Sequence, residues 1–261
     1  MQAKLIFCKQ FGLPLPGIIS GISRCPGCQH ILDVYGSHLL NCNRIGNKNA
    51  PDPFNKQILH ERLGLTIAKL LSNKFYAVRT NPTGSLARPW IENGKTLGRL
   101  DLQYVKGDTG ETILGDVSIS NPLTSEAMLS NTQNRMNVLD LIRTKKNNTY
   151  RKAIQEQFPN TGFVVLPFSM YGQIGAEIIS LLAEVAEHVH RRNPLVDKGI
   201  LLRKYRRELA CVVHQGVARL LATRLDCIRS QTNQFTYHID DVRGIVNVLL
   251  EEANDDRQYV D

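Results

Sequence analysis

Four side chains of the kinds that bind metal ions lie within an 18-residue stretch: Cys25, Cys28, His38 and Cys42. Their spacing, C-x2-C-x9-H-x3-C, gives two close pairs separated by a loop. Zinc takes four such ligands in a tetrahedron, and each pair can span one edge of it. The spacing therefore predicts a zinc site, whose four protein ligands favour structural bracing or nucleic-acid contact over catalysis. The alternative is a chance cluster of buried cysteines.

Two aspartates, Asp101 and Asp116, lie on the two arms of a predicted β-hairpin. The arms, residues 98–105 and 112–120, carry alternating β-forming residues, and the sequence KGDTGE between them is typical of a turn. A hairpin can bring both carboxylates to one end of a sheet, where such oxygen ligands suit Mg²⁺ or Mn²⁺. Ser118 is expected on the same strand face as Asp116. Alternatively, the two aspartates are ordinary strand-end carboxylates, although their neighbours are apolar and aspartate is disfavoured in strands.

The elements that position these side chains follow from the spacing of apolar residues. The sequence predicts an irregular lead-in over residues 1–20, where Pro14 and Pro16 interrupt regular structure. A linker, an irregular stretch and further helices and strands complete the pattern: linker 46–53, helix 55–74, irregular or short extended region 76–92, polar helical segment 125–157, strand 162–168, helix 174–189 and helix 200–225. This order predicts an α/β fold with a mixed sheet flanked by helices.

The composition narrows the class of protein. With 42% hydrophobic and 21% charged residues among 261, the chain can bury a core and is not globally disordered. No run of about 18 apolar residues predicts a membrane span. The six cysteines are too few and too uneven for a secreted disulfide scaffold, which favours an intracellular location. The net charge of +8 favours a polyanionic partner.

Four further motifs follow the cysteine-rich segment in a characteristic order: GRLD at 98–101, GDVSISNP at 115–122, KNNTY at 146–150 and LPFSMYGQIG at 166–175. In this order and spacing the chain resembles the zinc knuckle and restriction-like endonuclease found near the C-terminal end of non-LTR retrotransposon proteins. The resemblance covers about residues 24–192. It implies a PD-(D/E)XK fold that nicks DNA at an insertion site with a magnesium ion.

The resemblance assigns roles to the acidic pair. Asp101 matches the first metal-binding acid of the family and Asp116 the second. The chain has Leu100 where the family pattern has proline, and Ser118 where the general PD-(D/E)XK pattern has lysine. Because of this second departure, a nucleic-acid-binding module that has lost cleavage is the alternative function.

In the retrotransposon branch the catalytic lysine comes from the following helix instead, and Lys146 matches it, with Lys145 as a second choice. A cation beside the attacking water lowers the pKa of that water and stabilises the charge that develops on the phosphate. Tyr150, one helical turn after Lys146, is expected to orient this lysine or to contact a phosphate.

These observations together predict a metal-dependent DNA endonuclease with structural zinc and catalytic magnesium or manganese. The expected organisation is a lead-in and zinc knuckle at 1–50, an endonuclease core at 51–195, and a helical extension with an acidic tail at 196–261. The expected partners are DNA and a reverse transcriptase or element RNA supplied elsewhere, with no membrane, and the expected location is the nucleus. DNA phosphates are expected to contact six basic residues: Arg99, Lys145, Arg203, Lys204, Arg206 and Arg207.

Overall fold

A computed structural model describes residues 2–42, 56–80, 90–92, 95–98, 100–124, 127 and 137–232. Arg99, the predicted linker at 46–53 and the acidic tail lie outside the described residues. The helices are α1 Gln2–Gln10, α2 Ser37–Asn41, α3 Lys56–Leu71, α4 Val138–Gln157, α5 Ala176–Arg192 and α6 Lys198–Thr232. The strands are β1 Tyr76–Thr80, β2 Trp90–Glu92, β3 Lys95–Gly98, β4 Leu102–Val105, β5 Thr112–Ser120 and β6 Thr161–Ser169.

The main sheet has four strands in the order β1-β4-β5-β6, and β2 and β3 form a separate two-stranded ribbon. Strand β4 is antiparallel to both of its neighbours, β1 and β5, whereas β5 and β6 are parallel and are connected through α4. The structure therefore confirms the predicted α/β class and an open mixed sheet. The predicted hairpin is also confirmed, because β4 pairs with β5 from Leu102↔Gly115 to Val105↔Thr112.

Helices cover both faces of the sheet, and β5 is buried between them. Side chains alternate along a strand, so Ile113 and Val117 face one side while Leu114 and Asp116 face the other. Ile113 and Val117 belong to the large core that includes residues of α3, α5 and α6. Leu114 packs instead with residues of α4, in a small cluster that also contains Tyr150. A polar side chain at position 116 is therefore directed toward α4.

Two expectations about local structure are wrong. The expected irregular lead-in contains the helix α1, because residues 2–10 carry no helix breaker and the buried side chain of Leu5 joins the large core. The first strand of the hairpin was predicted from residue 98, but β4 begins at Leu102 and Gly98 ends β3 instead. Asp101 therefore precedes the strand. The region 76–92, expected to be irregular or briefly extended, contains the strands β1 and β2.

The long helix α6 lies against several parts of the chain. Its buried residues, among them Leu209, Val213 and Leu220, belong to the same core as Leu5 of α1 and Leu39 of α2. None of the helices in the described part of the chain is long and apolar enough to cross a membrane.

Candidate metal centre and acidic cleft

The structure brings the four predicted zinc ligands together. The ligand atoms of Cys25, Cys28, His38 and Cys42 all lie within 4.8 Å of one another. A tetrahedral zinc site with Zn–S bonds of about 2.3 Å has edges of about 3.8 Å, so only small side-chain movements separate this cluster from a zinc geometry. The cluster can therefore hold a zinc ion, as a zinc knuckle does.

Short-range backbone contacts build this cluster. The amide of Cys25 donates to the carbonyl of His30 at 2.8 Å, which folds the first ligand pair into a tight turn. The carboxylate of Asp33 accepts hydrogen bonds from the amides of residues 35, 37 and 38, and so fixes the start of α2. That helix carries His38, and the amide of Cys42 donates to the carbonyl of His38 at 2.9 Å. Burial raises the pKa of the Cys25 thiol.

Asp116 is a buried carboxylate on the face of β5 that meets α4. Only 3% of this residue is exposed. The Ser118 hydroxyl donates to its Oδ2 at 2.6 Å, and the Lys146 ammonium donates to its Oδ1 at 3.0 Å. Burial raises the pKa of Asp116, while the charge of Lys146 acts in the opposite direction. The expectation that Ser118 and Asp116 share a strand face is confirmed.

Lys146 reaches Asp116 from the middle of α4. Its ammonium lies 5.1 Å from the centre of the Tyr150 ring, one helical turn farther along. Tyr150 is buried and packs with Leu114 of the sheet, so its ring is a fixed surface beside the Lys146 side chain. Burial lowers the pKa of Lys146, but the charge and hydrogen bond of Asp116, together with the charges of Tyr150 and Asp101, outweigh it. The pKa is therefore raised, and the lysine is positively charged at neutral pH.

Asp101 lies beside the middle of β5, although it precedes β4. Its amide donates to the carbonyl of Gly115 at 3.0 Å, and its Oδ2 accepts from the amide of Val117 at 2.8 Å. Because β4 begins at Leu102, opposite Gly115, Val117 lies beyond the end of the β4–β5 ladder. The carboxylate of Asp101 therefore accepts the hydrogen bond that the Val117 amide would otherwise donate to a neighbouring strand. Its negative charge also raises the pKa of Asp116.

His60 is a residue of this site that the sequence did not reveal. Its Nε2 lies 2.6 Å from the carbonyl oxygen of Val117 and 3.3 Å from Oδ2 of Asp101. Since a carbonyl can only accept, the Nε2–H of His60 donates to it. Burial lowers the pKa of His60, but the hydrogen bond and charge of Asp101 outweigh this effect and raise it. The adjacent Glu61 is exposed and accepts a hydrogen bond from Gln57.

A cleft of about 520 Å³ gives access to this cluster. Its walls come from α3, β5 and α4, and they include His60, Ser118, Ser120, Lys145, Lys146 and Tyr150. Lys146 retains 33% side-chain exposure and Asp101 15%, whereas Asp116 retains 4%. Asp116 is thus almost fully covered and Asp101 largely so, while the more exposed Lys146 side chain lines the cleft.

The remaining predicted residues lie elsewhere or at the rim. Lys145 is exposed and lines the cleft. The four basic residues of α6 that were predicted to contact DNA are also exposed, and two of them, Arg206 and Arg207, line a different cavity. The structure thus brings together Asp101, Asp116, Ser118, Lys146 and Tyr150.

Comparison of the chain with protein-family models, curated proteins and solved structures finds no match.

Proposed function

We propose that this protein is a divalent-metal-dependent endonuclease that hydrolyses phosphodiester bonds in DNA. The observation that carries the proposal is the contact at 3.0 Å between the ammonium of Lys146, which lines a solvent-open cleft, and the buried Asp116 carboxylate. Asp101 is close enough for its charge to raise the pKa of Asp116. A lysine and two carboxylates at the place where the β4–β5 ladder ends are groups that can serve metal-assisted phosphodiester hydrolysis. The resemblance to retrotransposon endonucleases supports DNA as the substrate and a nuclear location beside a reverse transcriptase.

The donor set suits magnesium or manganese. Asp101 and Asp116 would hold the ion, because carboxylate oxygens are the ligands that these hard cations prefer. A buried carboxylate whose pKa is raised also gains stability from a nearby cation. An ion held there would activate a water molecule and offset negative charge on the phosphate.

The protein side chains supply the remaining functions. Lys146 places a positive charge at the opening of the cleft, where it stabilises the charge that develops on the phosphate oxygens. Ser118 fixes one oxygen of Asp116, and so sets the direction of the other. Tyr150 limits the conformations of Lys146 by lying under its ammonium. The exposed Lys145 at the rim attracts the DNA backbone.

The test is nicking of a supercoiled plasmid with magnesium by the wild type, Asp116→Asn, Lys146→Met and Lys152→Met. We expect the first two variants to lose about 10²-fold or more in rate, because general acid–base and electrostatic contributions of this size are typical of such groups. Lys152 is the matched control, since it lies on the same helix with 82% of its side chain exposed. The proposal fails if the wild type shows no metal-dependent nicking, or if Lys152→Met loses as much as Lys146→Met.

One observation favours a nucleic-acid-binding module without cleavage. Both oxygens of Asp116 already have partners in the chain, Ser118 and Lys146, so the buried carboxylate is satisfied by the protein alone. If this alternative is correct, all four proteins bind DNA equally and none cuts it. Binding by gel shift, measured beside nicking, separates the two functions.

A further inference from the structure

A buried lysine without a hydrogen-bond partner lies far from the acidic cleft in sequence, in the last turn of α1. Lys9 is 6% exposed, and its Nζ is the one buried side-chain nitrogen or oxygen without a hydrogen bond in the part of the chain that the structure describes. It lies 4.9 Å from the centre of the Tyr171 ring. The nearest attracting carboxylate is Asp33, whose oxygens are occupied by backbone amides at the start of α2.

This arrangement is costly for a lysine. A buried ammonium without a hydrogen bond loses its hydration and gains little in return. Burial lowers the pKa of Lys9 to about 8, even though the charge of Asp33 opposes the effect. An apolar side chain of the same length would avoid this penalty, so the positive charge needs another explanation than stability.

Lys9 lines a cavity of about 620 Å³. The cavity offers aromatic rings and side-chain amides, from Tyr35, Tyr171, Gln10, Asn137 and Gln173. Tyr35 is 46% exposed, so one face of its ring is open to a ligand. Aromatic faces combined with a cation and amide groups are suited to a stacked base and its phosphate.

The cavity continues toward α6. Gln173 also lines a second cavity of about 420 Å³, together with Arg206 and Arg207. The segment between the two cavities turns at Gly172, whose φ of +81 is in the left-handed region, and a Cβ there would meet the ring of His214. Residues with cationic side chains thus line both cavities, which suits an anion that extends through them rather than one small ion.

We propose that these two cavities form a groove that binds a strand of nucleic acid. Its phosphates contact Lys9 at one end and the Arg206–Arg207 pair at the other, and a base stacks on Tyr35 or Tyr171. Because the Lys9 ammonium is buried in the structure, the proposal requires a rotation about its methylene chain that brings the ammonium into the cavity. The groove uses none of the residues of the acidic cleft, so its binding does not depend on cleavage.

The first test measures binding of a fluorescein-labelled oligodeoxythymidine by anisotropy, without added magnesium. We expect Lys9→Met to weaken binding by about three- to tenfold and to reduce the salt slope by about one, as for the loss of a phosphate contact. Lys4→Met is the matched control, because Lys4 is exposed on the same helix. The proposal is overturned if Lys9→Met binds like the wild type, or if Lys4→Met loses as much.

A second pair of variants tests the groove without altering a buried residue. Arg206→Ala/Arg207→Ala removes two exposed cations that line the second cavity, whereas Arg203→Ala/Lys204→Ala removes two exposed cations of the same helix that do not line it. Only the first double variant is expected to lose affinity. Equal losses in the two double variants would show diffuse attraction to the whole helix and would overturn the groove. Competition by polyglutamate as strong as that by unlabelled oligodeoxythymidine would also overturn it, because it would indicate a site for acidic peptides.

The two proposals can be tested independently of each other. Loss of nicking in the acidic-cleft variants with unchanged oligonucleotide binding concerns the cleft alone. Loss of binding in a Lys9→Met protein that is at least as stable as the wild type concerns the groove alone. If Lys9→Met does not fold, the arginine pair and its control decide the question.

Discussion

Val117 illustrates how a single backbone unit organises the acidic cleft. Its amide and carbonyl lie beyond the end of β4, and buried backbone groups of this kind must find hydrogen-bond partners. Asp101 accepts from the amide and His60 donates to the carbonyl. Two side chains that are distant in sequence are therefore fixed at the strand end, next to Asp116. We infer that His60 is a positioning residue for Asp101.

The role of His60 can be tested by comparing His60→Gln with His60→Ala. A glutamine keeps an N–H donor for the Val117 carbonyl, whereas alanine leaves this carbonyl unpaired, at a cost of about 1–3 kcal/mol. If the protein is the proposed nuclease, we expect His60→Ala to need more magnesium for half-maximal nicking and His60→Gln to recover most of the wild-type value. Glu61→Gln, an exposed change on the same helix, is the control. Equal magnesium requirements in all four proteins would contradict the positioning role.

Lys9 gives a pH dependence of stability whose sign follows from its pKa. The pKa falls from 10.5 in the unfolded chain to about 8 in the folded protein. The unfolded chain therefore binds more protons between these values, so this group destabilises the fold below pH 8 and the penalty disappears as the pH rises. Its size is about 3 kcal/mol, at about 1.4 kcal/mol per pKa unit. The groups that face Lys9 are Asp33, Tyr171 and Tyr35.

We expect Lys9→Met to be more stable than the wild type at pH 7, and this difference to shrink as the pH approaches 10. Urea denaturation of both proteins across this range provides the measurement, and the difference between them removes the contribution of other titrating groups. A Lys9→Met variant that is less stable than the wild type at pH 7 would show that the ammonium stabilises the fold.

At the scale of elements, two helical glycines have opposite expected effects. Gly216 of α6 faces α3, and a Cβ at this position would clash with the buried side chain of Leu59. Gly64 of α3 has nothing within 4 Å of the place where a Cβ would lie. We expect Gly216→Ala to destabilise the protein by about 1–3 kcal/mol through overpacking. We expect Gly64→Ala to stabilise it by about 0.5–1 kcal/mol, because alanine is the better helix former.

Both glycine variants are measured by urea denaturation against the same wild type. Each serves as the control for the other, since both replace a helical glycine with alanine. Stabilisation by both changes would mean that α3 and α6 are not packed as closely as the structure shows.

The elements that the sequence predicts well are those with strong local patterns. The sequence predicts the strand β5 at residues 112–120, and it is found there, since β-forming residues alternate along this segment and a turn precedes it. The sequence does not indicate the helix α1, because its only buried apolar residues are Leu5 and Cys8, and so short an apolar face gives little periodicity. The zinc ligands were found because their types and spacing are enough to indicate the site.

The groups that the sequence did not indicate depend on long-range contacts. His60 bonds to a backbone carbonyl 57 residues away, and no side-chain pattern marks a carbonyl. Lys9 looks like any other lysine on a helix, because its burial depends on α1 packing against a loop near residue 171. The position of Asp101 before β4 was also not predictable, since it depends on where the ladder to β5 ends.

At the scale of the molecule, the cysteine-rich segment and the C-terminal part of α6 share one core. Cys25, Leu39 and Leu220 are fully buried members of it. Arg224, also buried, donates to the carbonyl of Leu39. A metal ion held by the cysteine cluster would therefore act on residues far apart in the chain, since 185 positions separate Arg224 from Leu39.

Removal of zinc is therefore expected to destabilise more than the first 42 residues. An ion at about a thousandfold excess over its Kd stabilises the folded state by about 4 kcal/mol, and a chelator removes this contribution. Without it, α2 loses its anchor, and the contact with Arg224 is weakened. In hydrogen exchange after chelation, or in Cys28→Ser, we expect lost protection in α2 and also around residues 217–228 of α6. Cys211→Ser is the control, because Cys211 is exposed and outside the cluster. Loss of protection confined to residues 25–42 would show that the cysteine segment folds independently of α6.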